Sequence, residues 1–198
     1  GAVAIALGAI ILAADDGGGG GDGGDQQAAP SNITTTTTGS AAGAPRTDEL
    51  RLQPRGLGPV RVGMTVDEAS QVLGRALQAL GVGDPAGGCE LFAPAAGPAG
   101  VAFMVTGGTV ARIDVIGGPV TTTEGLAIGQ TEAQAQQHYD GRLAVTAHKY
   151  TAGGHYLTLV PADPADGVYR LVAETDGTTV TALRAGRLPE VEFVEGCS

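Results

Sequence analysis

The clearest hydrophobic pattern in the chain lies at residues 62–74, which read VGMTVDEASQVLG. Thr65 is a suitable helix N-cap, and Glu68 three residues later completes a capping box. Gly74 either ends the helix or bends the chain before a second short helix at ALQAL. Apolar residues follow the cap at helical spacing: Val66, Ala69, Val72, Leu73 and Leu77. We therefore predict an amphipathic helix, alone or as the first of a pair.

A looser copy of this string, IGQTEAQAQQHYDG, occupies residues 128–141. Thr131 takes the capping position, Gln134 replaces the glutamate of the capping box, and Gly141 supplies a terminator. Thr131 follows Thr65 by 66 residues. The repetition predicts a second helix and indicates an internal duplication.

Runs with strand character follow each predicted helix. Residues 101–118 and 169–187 each contain a β-rich run, a turn signal and an alternating strand. The turn signals are Gly107-Gly108 and Asp176-Gly177. Further short strands are predicted at 89–92, 143–150 and 156–160. We predict an α+β protein with two tandem modules, each a single helix or short helix pair on a three- to four-stranded antiparallel sheet.

The first 48 residues differ in composition from the rest of the chain. Residues 1–14 are uncharged and mostly apolar, which fits a membrane anchor or a signal peptide, with a buried soluble helix as the alternative. Residues 15–48 are rich in Gly and Thr, so we predict a disordered linker. The two modules then occupy 49–120 and 121–198. We expect an extracytoplasmic protein, secreted or anchored, that meets the membrane only through its N-terminal segment.

The charge and the cysteines narrow the function further. A net charge of −10 argues against nucleic acid as a partner, because binding to phosphates requires clustered Lys and Arg. Cys89 and Cys197 have no metal-type spacing. In an exported protein they are expected to form a disulfide, and two separate buried thiols are the alternative.

The residues from Gly63 to Gly74, with the form G-M-T-x-x-E-A followed by Leu-Gly, resemble a known module start. They resemble the small helix-plus-sheet modules of the outer-membrane assembly lipoprotein (SmpA/OmlA-like) family and the tandem modules of the β-lactamase inhibitor protein family. The second copy departs from the pattern at Gln130 and Gln134. The resemblance implies an exported protein-binding module whose sheet face makes the contact, without implying β-lactamase as the target. The C-terminal string GRLPEVEFVEGCS is similar to that of exported actinobacterial proteins without assigned function.

Sequence motifs for serine hydrolases, zinc proteases and phosphate-binding loops do not occur in residues 49–198. His148 and His155 flank a predicted hairpin turn at Gly153-Gly154, which displaces the two imidazoles along the strand pair. We therefore expect no metal and no cofactor. Glu190 and Glu192 alternate on a predicted strand, where a solvated face is the simplest interpretation.

The remaining candidates are residues suited to a binding surface. Tyr and Arg side chains anchor protein interfaces more often than most others. The candidates for a sheet-face site are His148, Tyr150, Tyr156, Arg184 and Arg187. Each also has a purely structural alternative, in strand formation or in ion pairs.

From these patterns we predict a non-enzymatic binding protein of the cell envelope. Its partner is expected to be an unidentified envelope or extracellular protein, and the chain itself is expected to be a monomer. Two alternatives stay open at this point. One is a small hydrolase-type enzyme that uses His148 or His155, and the other is a purely structural envelope component.

Overall fold

The computed structural model describes residues 44–84 and 86–197. The predicted anchor or signal at 1–14 and nearly all of the predicted linker at 15–48 lie outside the described residues. In the part that is described, no helix has the length and apolar character needed to cross a membrane.

Two α-helices and twelve β-strands lie within the described ranges, so the predicted α+β class is confirmed. The helices are α1 (Val66–Leu73) and α2 (Glu132–His138). The strands are β1 (Arg51–Gln53), β2 (Gly56–Leu57), β3 (Val60–Arg61), β4 (Leu77–Asp84), β5 (Cys89–Pro94), β6 (Val101–Thr106), β7 (Thr109–Val115), β8 (Thr121–Thr122), β9 (Ala144–Ala147), β10 (His155–Leu159), β11 (Tyr169–Thr175) and β12 (Val180–Arg187). Short 3₁₀ turns cover Thr47–Glu49, Pro164–Asp166 and Glu190–Glu192.

Both helices begin with a complete capping box. The Thr65 hydroxyl accepts the Glu68 N–H at 3.2 Å, and the Glu68 carboxylate accepts the Thr65 N–H at 2.8 Å. Thr131 and Gln134 repeat this arrangement at the same two distances. Each box satisfies backbone donors that the first helical turn leaves without an intrahelical partner.

The possible second helix at ALQAL is wrong, because this segment enters β4. Gly74 ends α1 in the left-handed conformation, at φ +66°. The chain then turns back, and the Ser70 hydroxyl accepts the N–H of Leu77 at 3.0 Å. Once the helix has been closed in this way, the residues that follow pair with β5 as an edge strand.

Strands β4–β7 after α1 and β9–β12 after α2 form one sheet; the sequence predicts a three- to four-stranded sheet for each module and leaves open whether the two share one surface. Within the described residues the order is β4-β5-β6-β7-β12-β11-β10-β9, and every neighbouring pair is antiparallel. The junction is the pairing of β7 with β12, in which Asp114 lies opposite Arg184. A smaller sheet has the order β3-β2-β1-β8.

The two faces of the eight-stranded sheet are covered differently. One face packs on both helices through Ala69, Leu73, Ala135 and Tyr139, which belong to the main hydrophobic core. We call the opposite face the open face. It is crossed by residues 188–197, which we call the strap. Four further buried apolar residues lie outside the main core, three of them on the strands and one on the strap: Met104, Ala111, Val172 and Val191.

The strap is not a strand, so the predicted strand positions of Glu190 and Glu192 are wrong. The N–H of Glu192 bonds the carbonyl of Pro189 at 3.0 Å, and the N–H of Phe193 bonds that of Glu190 at 3.2 Å. These bonds close a 3₁₀ turn over Glu190–Glu192. The turn satisfies these two N–H groups within the strap, whereas the N–H of Leu188 bonds the Val168 carbonyl at 2.8 Å.

The disulfide expected from the sequence is confirmed. Cys89 at the start of β5 is bonded to Cys197 on the strap, and their Cα atoms are 5.4 Å apart. Because the strap also continues directly from β12, it is fixed at both of its ends.

Opening the disulfide is expected to destabilise the fold strongly. The bond joins residues that are 108 positions apart, and a closed loop of that length restricts the unfolded chain by about 4–5 kcal/mol in the chain-entropy model. We expect Cys89→Ser combined with Cys197→Ser to lower the free energy of unfolding by up to that amount in urea titrations at pH 7. A loss smaller than about 1 kcal/mol would contradict the entropic account.

Candidate binding site on the open sheet face

Three of the predicted site residues gather around Glu174 on the open face. Tyr156 on β10 lies directly opposite Glu174 on β11. The Tyr156 ring stacks on His148 with centroids 4.5 Å apart, and the guanidinium carbon of Arg184 lies 5.3 Å from the Tyr156 ring centroid. Arg184 also forms an ion pair with Glu174. The aromatic rings and the guanidinium therefore hold one another in fixed positions.

The hydrogen bonds of His148 define its tautomer. Its Nδ1 accepts the backbone N–H groups of Tyr150 at 3.1 Å and of Thr151 at 3.0 Å. The ring proton is therefore assigned to Nε2, which faces the Glu174 carboxylate at 3.4 Å. Glu174 thus receives hydrogen bonds from both an imidazole and a guanidinium.

A second ion pair lies beside this cluster at the junction of β7 and β12. Arg112 is 5% exposed and bonds Asp114 at 3.0 Å. Burial raises the pKa of Asp114 and outweighs the opposite effect of the Arg112 charge. Arg112 also donates through Nη1 to two strap carbonyls, those of Glu190 at 3.0 Å and Phe193 at 2.5 Å.

The side chains of the other two predicted residues, Arg187 and Tyr150, contact the strap. Arg187 bonds the Glu190 carboxylate at 3.2 Å. The Tyr150 hydroxyl bonds Glu195, which also pairs with Lys149 at 3.1 Å. Thus the five predicted residues form two groups, both on the open face.

The strap separates two grooves on the open face. The first has a volume of about 490 Å³ and lies towards β4 and β5. The second has a volume of about 400 Å³ and lies towards β9 and β10. Val194 of the strap and Arg184 of the sheet line both grooves. Apolar side chains wall the first groove, including Leu80, Leu91, Ala93, Ala102 and Ile116.

Sequence reasoning missed three residues of this site: Arg112, Asp114 and Glu174. A signal existed for the first two, since VARIDV at 110–115 places two charges among strand-forming apolar residues. Charges at such positions predict a buried pair or a covered face. For Glu174 the signal depends on its register with Tyr156, which the sequence does not contain.

His155, one of the two histidines named in the enzyme alternative, lies in a separate cluster. Its Nδ1 is 2.8 Å from the Glu132 carboxylate, which also accepts the hydroxyl of Thr175. Glu132 therefore stands between the imidazole and the hydroxyl, and Thr175 is 1% exposed. Within the described ranges, no group of three or more His, Cys, Asp or Glu side chains is arranged to hold a metal ion.

The chain matches no protein-family model, no curated protein sequence and no solved structure. Function is therefore inferred from the geometry of the open face.

Loss of the Glu174 charge is expected to destabilise the fold. Glu174→Gln leaves Arg184, which is 7% exposed, without its charged partner, and an unsatisfied buried group costs about 1–3 kcal/mol. The matched control is Lys149→Gln, which breaks the exposed pair with Glu195 and is expected to lower the free energy of unfolding far less, because solvent screens the pair. Urea unfolding at pH 7 measures both changes, and equal losses would contradict the assignment.

Acidification is expected to loosen the strap through Glu190. Burial raises the pKa of Glu190, but hydrogen bonds from Thr106 and Arg187 outweigh it and leave the pKa below its ordinary value of 4.5. A carboxylate whose pKa is lower in the folded than in the unfolded chain stabilises the fold at every pH above its unfolded-state pKa. This stabilisation is lost as the pH falls through the folded-state pKa. Relative to Glu190→Gln, the native chain should be more stable by about 1 kcal/mol at pH 7. The difference should shrink below pH 4.5 in urea titrations, and a constant difference would contradict the role.

Proposed function

We propose that this chain is a non-enzymatic binding protein of the cell envelope, exported or tethered by its N-terminal segment. The open face of the sheet is the surface that contacts a partner protein. The observation that carries this proposal is the position of the exposed apolar side chains. Large exposed patches of this kind mark interaction sites in soluble proteins.

Six of the nine large hydrophobic side chains exposed within the described ranges border the strap or its grooves. These six are Leu80, Val82, Ile116, Tyr150, Val160 and Phe193. Beside them lie the stacked His148 and Tyr156 and the buried Arg184. Aromatic and arginine side chains next to apolar grooves are the composition that interface anchors favour.

The proposal includes two related modules that together build this face. The N–H of Gly63 donates to the Val110 carbonyl at 2.8 Å, and the N–H of Gly129 donates to the Val180 carbonyl at the same distance. The Val110 and Val180 N–H groups each return a bond of 2.8 Å to the residue after the corresponding glycine. This reciprocal pairing ties each capping box to the hairpin of its own half, which supports an internal duplication.

The proposed location is supported by the disulfide. Disulfides form and persist in oxidising compartments, and Cys89–Cys197 stabilises the segment that crosses the proposed binding surface. The linker at 15–48 would then separate the modules from the membrane if residues 1–14 are an anchor, or from the cleavage site if they are a signal peptide.

The proposal is tested by affinity capture from an envelope extract of the native cells, with the immobilised oxidised protein. We expect Leu80→Asp and Tyr150→Ala each to lower retention of the same partner about tenfold, because each removes a contact worth at least 1 kcal/mol from the face. Retained proteins are identified and quantified by mass spectrometry.

Val72→Asp is the matched control, because Val72 is an exposed apolar residue on α1. It should retain the partner as well as the native chain does. The proposal fails if Leu80→Asp and Tyr150→Ala retain the partner fully, or if Val72→Asp loses it to the same degree. Circular dichroism confirms that each variant is folded.

A further inference from the structure

The sheet side of the open face carries more basic than acidic side chains, five Lys or Arg against Asp114 and Glu174, although the chain as a whole carries a net charge of −10. Five of the eleven Lys and Arg residues contact the strap or line the grooves beside it: Arg112, Lys149, Arg170, Arg184 and Arg187. Arg170 donates only to backbone carbonyls, and within the described residues it forms no ion pair. Such a concentration of positive charge favours an acidic partner.

The strap itself has the complementary chemistry. Its central sequence, EVEFVE at 190–195, carries three glutamates interspersed with three apolar residues. Glu190 bonds Arg187 and Thr106, and Glu195 bonds Lys149. Charge pairing with the face therefore occurs near both ends of this segment.

Most of the remaining contacts do not depend on the strap being part of the same chain. Arg112 holds the strap through the main-chain carbonyls of Glu190 and Phe193, which any polypeptide offers. Val191 is fully buried, so an apolar side chain fills the space next to these carbonyls. Recognition by carbonyl capture, one buried apolar side chain and flanking carboxylates is a general mode of peptide binding.

We propose that the face beneath the strap is a docking site for a short acidic peptide segment of a partner protein, and that the strap is its built-in occupant. The proposal rests on the proposed function, since it names the partner chemistry of the same face. In the oxidised protein the strap is held at both ends, and its high effective concentration excludes a competing segment from the face beneath it, while the two grooves beside it stay open to the partner.

Reduction of the disulfide allows the exchange. A dithiol reductant transfers two electrons and two protons to the bridge, which gives the free thiols of Cys89 and Cys197 and the oxidised, disulfide form of the reductant. The strap then remains attached only at Arg187. A segment of similar chemistry can compete with it, because the strap no longer has a second covalent anchor.

The test uses a fluorescein-labelled synthetic peptide with the sequence LPEVEFVEG, which is residues 188–196. It is titrated by fluorescence anisotropy against the oxidised full chain and against the full chain with Cys89→Ser and Cys197→Ser. We expect the serine variant to bind the peptide at least tenfold more tightly than the oxidised chain. A third sample carries a protease site after Arg187, which is cut after folding so that reduction removes the strap, and it should bind most tightly.

Three controls define the chemistry of the site. A peptide with Gln at all three Glu positions should bind at least tenfold more weakly than the acidic peptide. Lys149→Gln, introduced into the strap-free protein, should lower the affinity for the acidic peptide several-fold. Val72→Asp in the same protein should leave this affinity unchanged. The proposal is overturned if the folded strap-free protein binds both peptides equally or binds neither.

Should strap removal unfold the sheet, hydrogen exchange of the reduced full chain decides the question. Amides at 190–194 should then exchange at least tenfold faster than in the oxidised chain, while β7 amides keep their protection, and added peptide should lower the protection of the strap further. Unchanged strap exchange overturns the docking proposal. The capture experiment on the oxidised protein tests the proposed function independently. If that experiment retains a partner but the strap-free protein does not bind the peptide, only the docking proposal is overturned.

Discussion

The antiparallel pairing of β7 with β12 is the interaction on which the rest of the structure depends. It converts two four-stranded meanders into one sheet and removes two edges that would otherwise be open to other chains. The close approach requires glycine at 186, because a Cβ there would lie 2.4 Å from the carbonyl oxygen of Ala111. The same pairing places Asp114 beside Arg184, so the charged centre of the open face exists only when the two meanders are joined.

Local features of the fold could be predicted from the sequence because their causes lie within a few residues. A capping box needs only Thr65 and Glu68, and a tight hairpin needs only Gly107-Gly108, whose φ angles are +58° and +77°. The junction of the two meanders could not be predicted, since it depends on pairing between residues about 70 positions apart. Two local patterns gave wrong predictions. Gly74 ends α1 before ALQAL, and a 3₁₀ turn takes the place of the predicted strand at Glu190.

The candidate site was predictable in residue type more than in arrangement. Tyr156 and Arg184 were identifiable because their side chains suit interfaces. Their common partner Glu174 becomes recognisable only once the β10–β11 register is known. The strap was not predictable as a cover, because nothing in its local sequence specifies which surface it crosses.

The position of the disulfide also orders the maturation of the molecule. Cys89 belongs to the first meander, whereas Cys197 follows every strand in the chain, and their Cα atoms come within 5.4 Å only when the strap lies across the joined sheet. The native bridge can therefore form only after all the strands have been synthesised, and it holds the strap across the joined sheet. In the completed molecule both sulfur atoms are bonded and resist alkylation, so a reactive thiol marks a chain whose strap has no second covalent anchor.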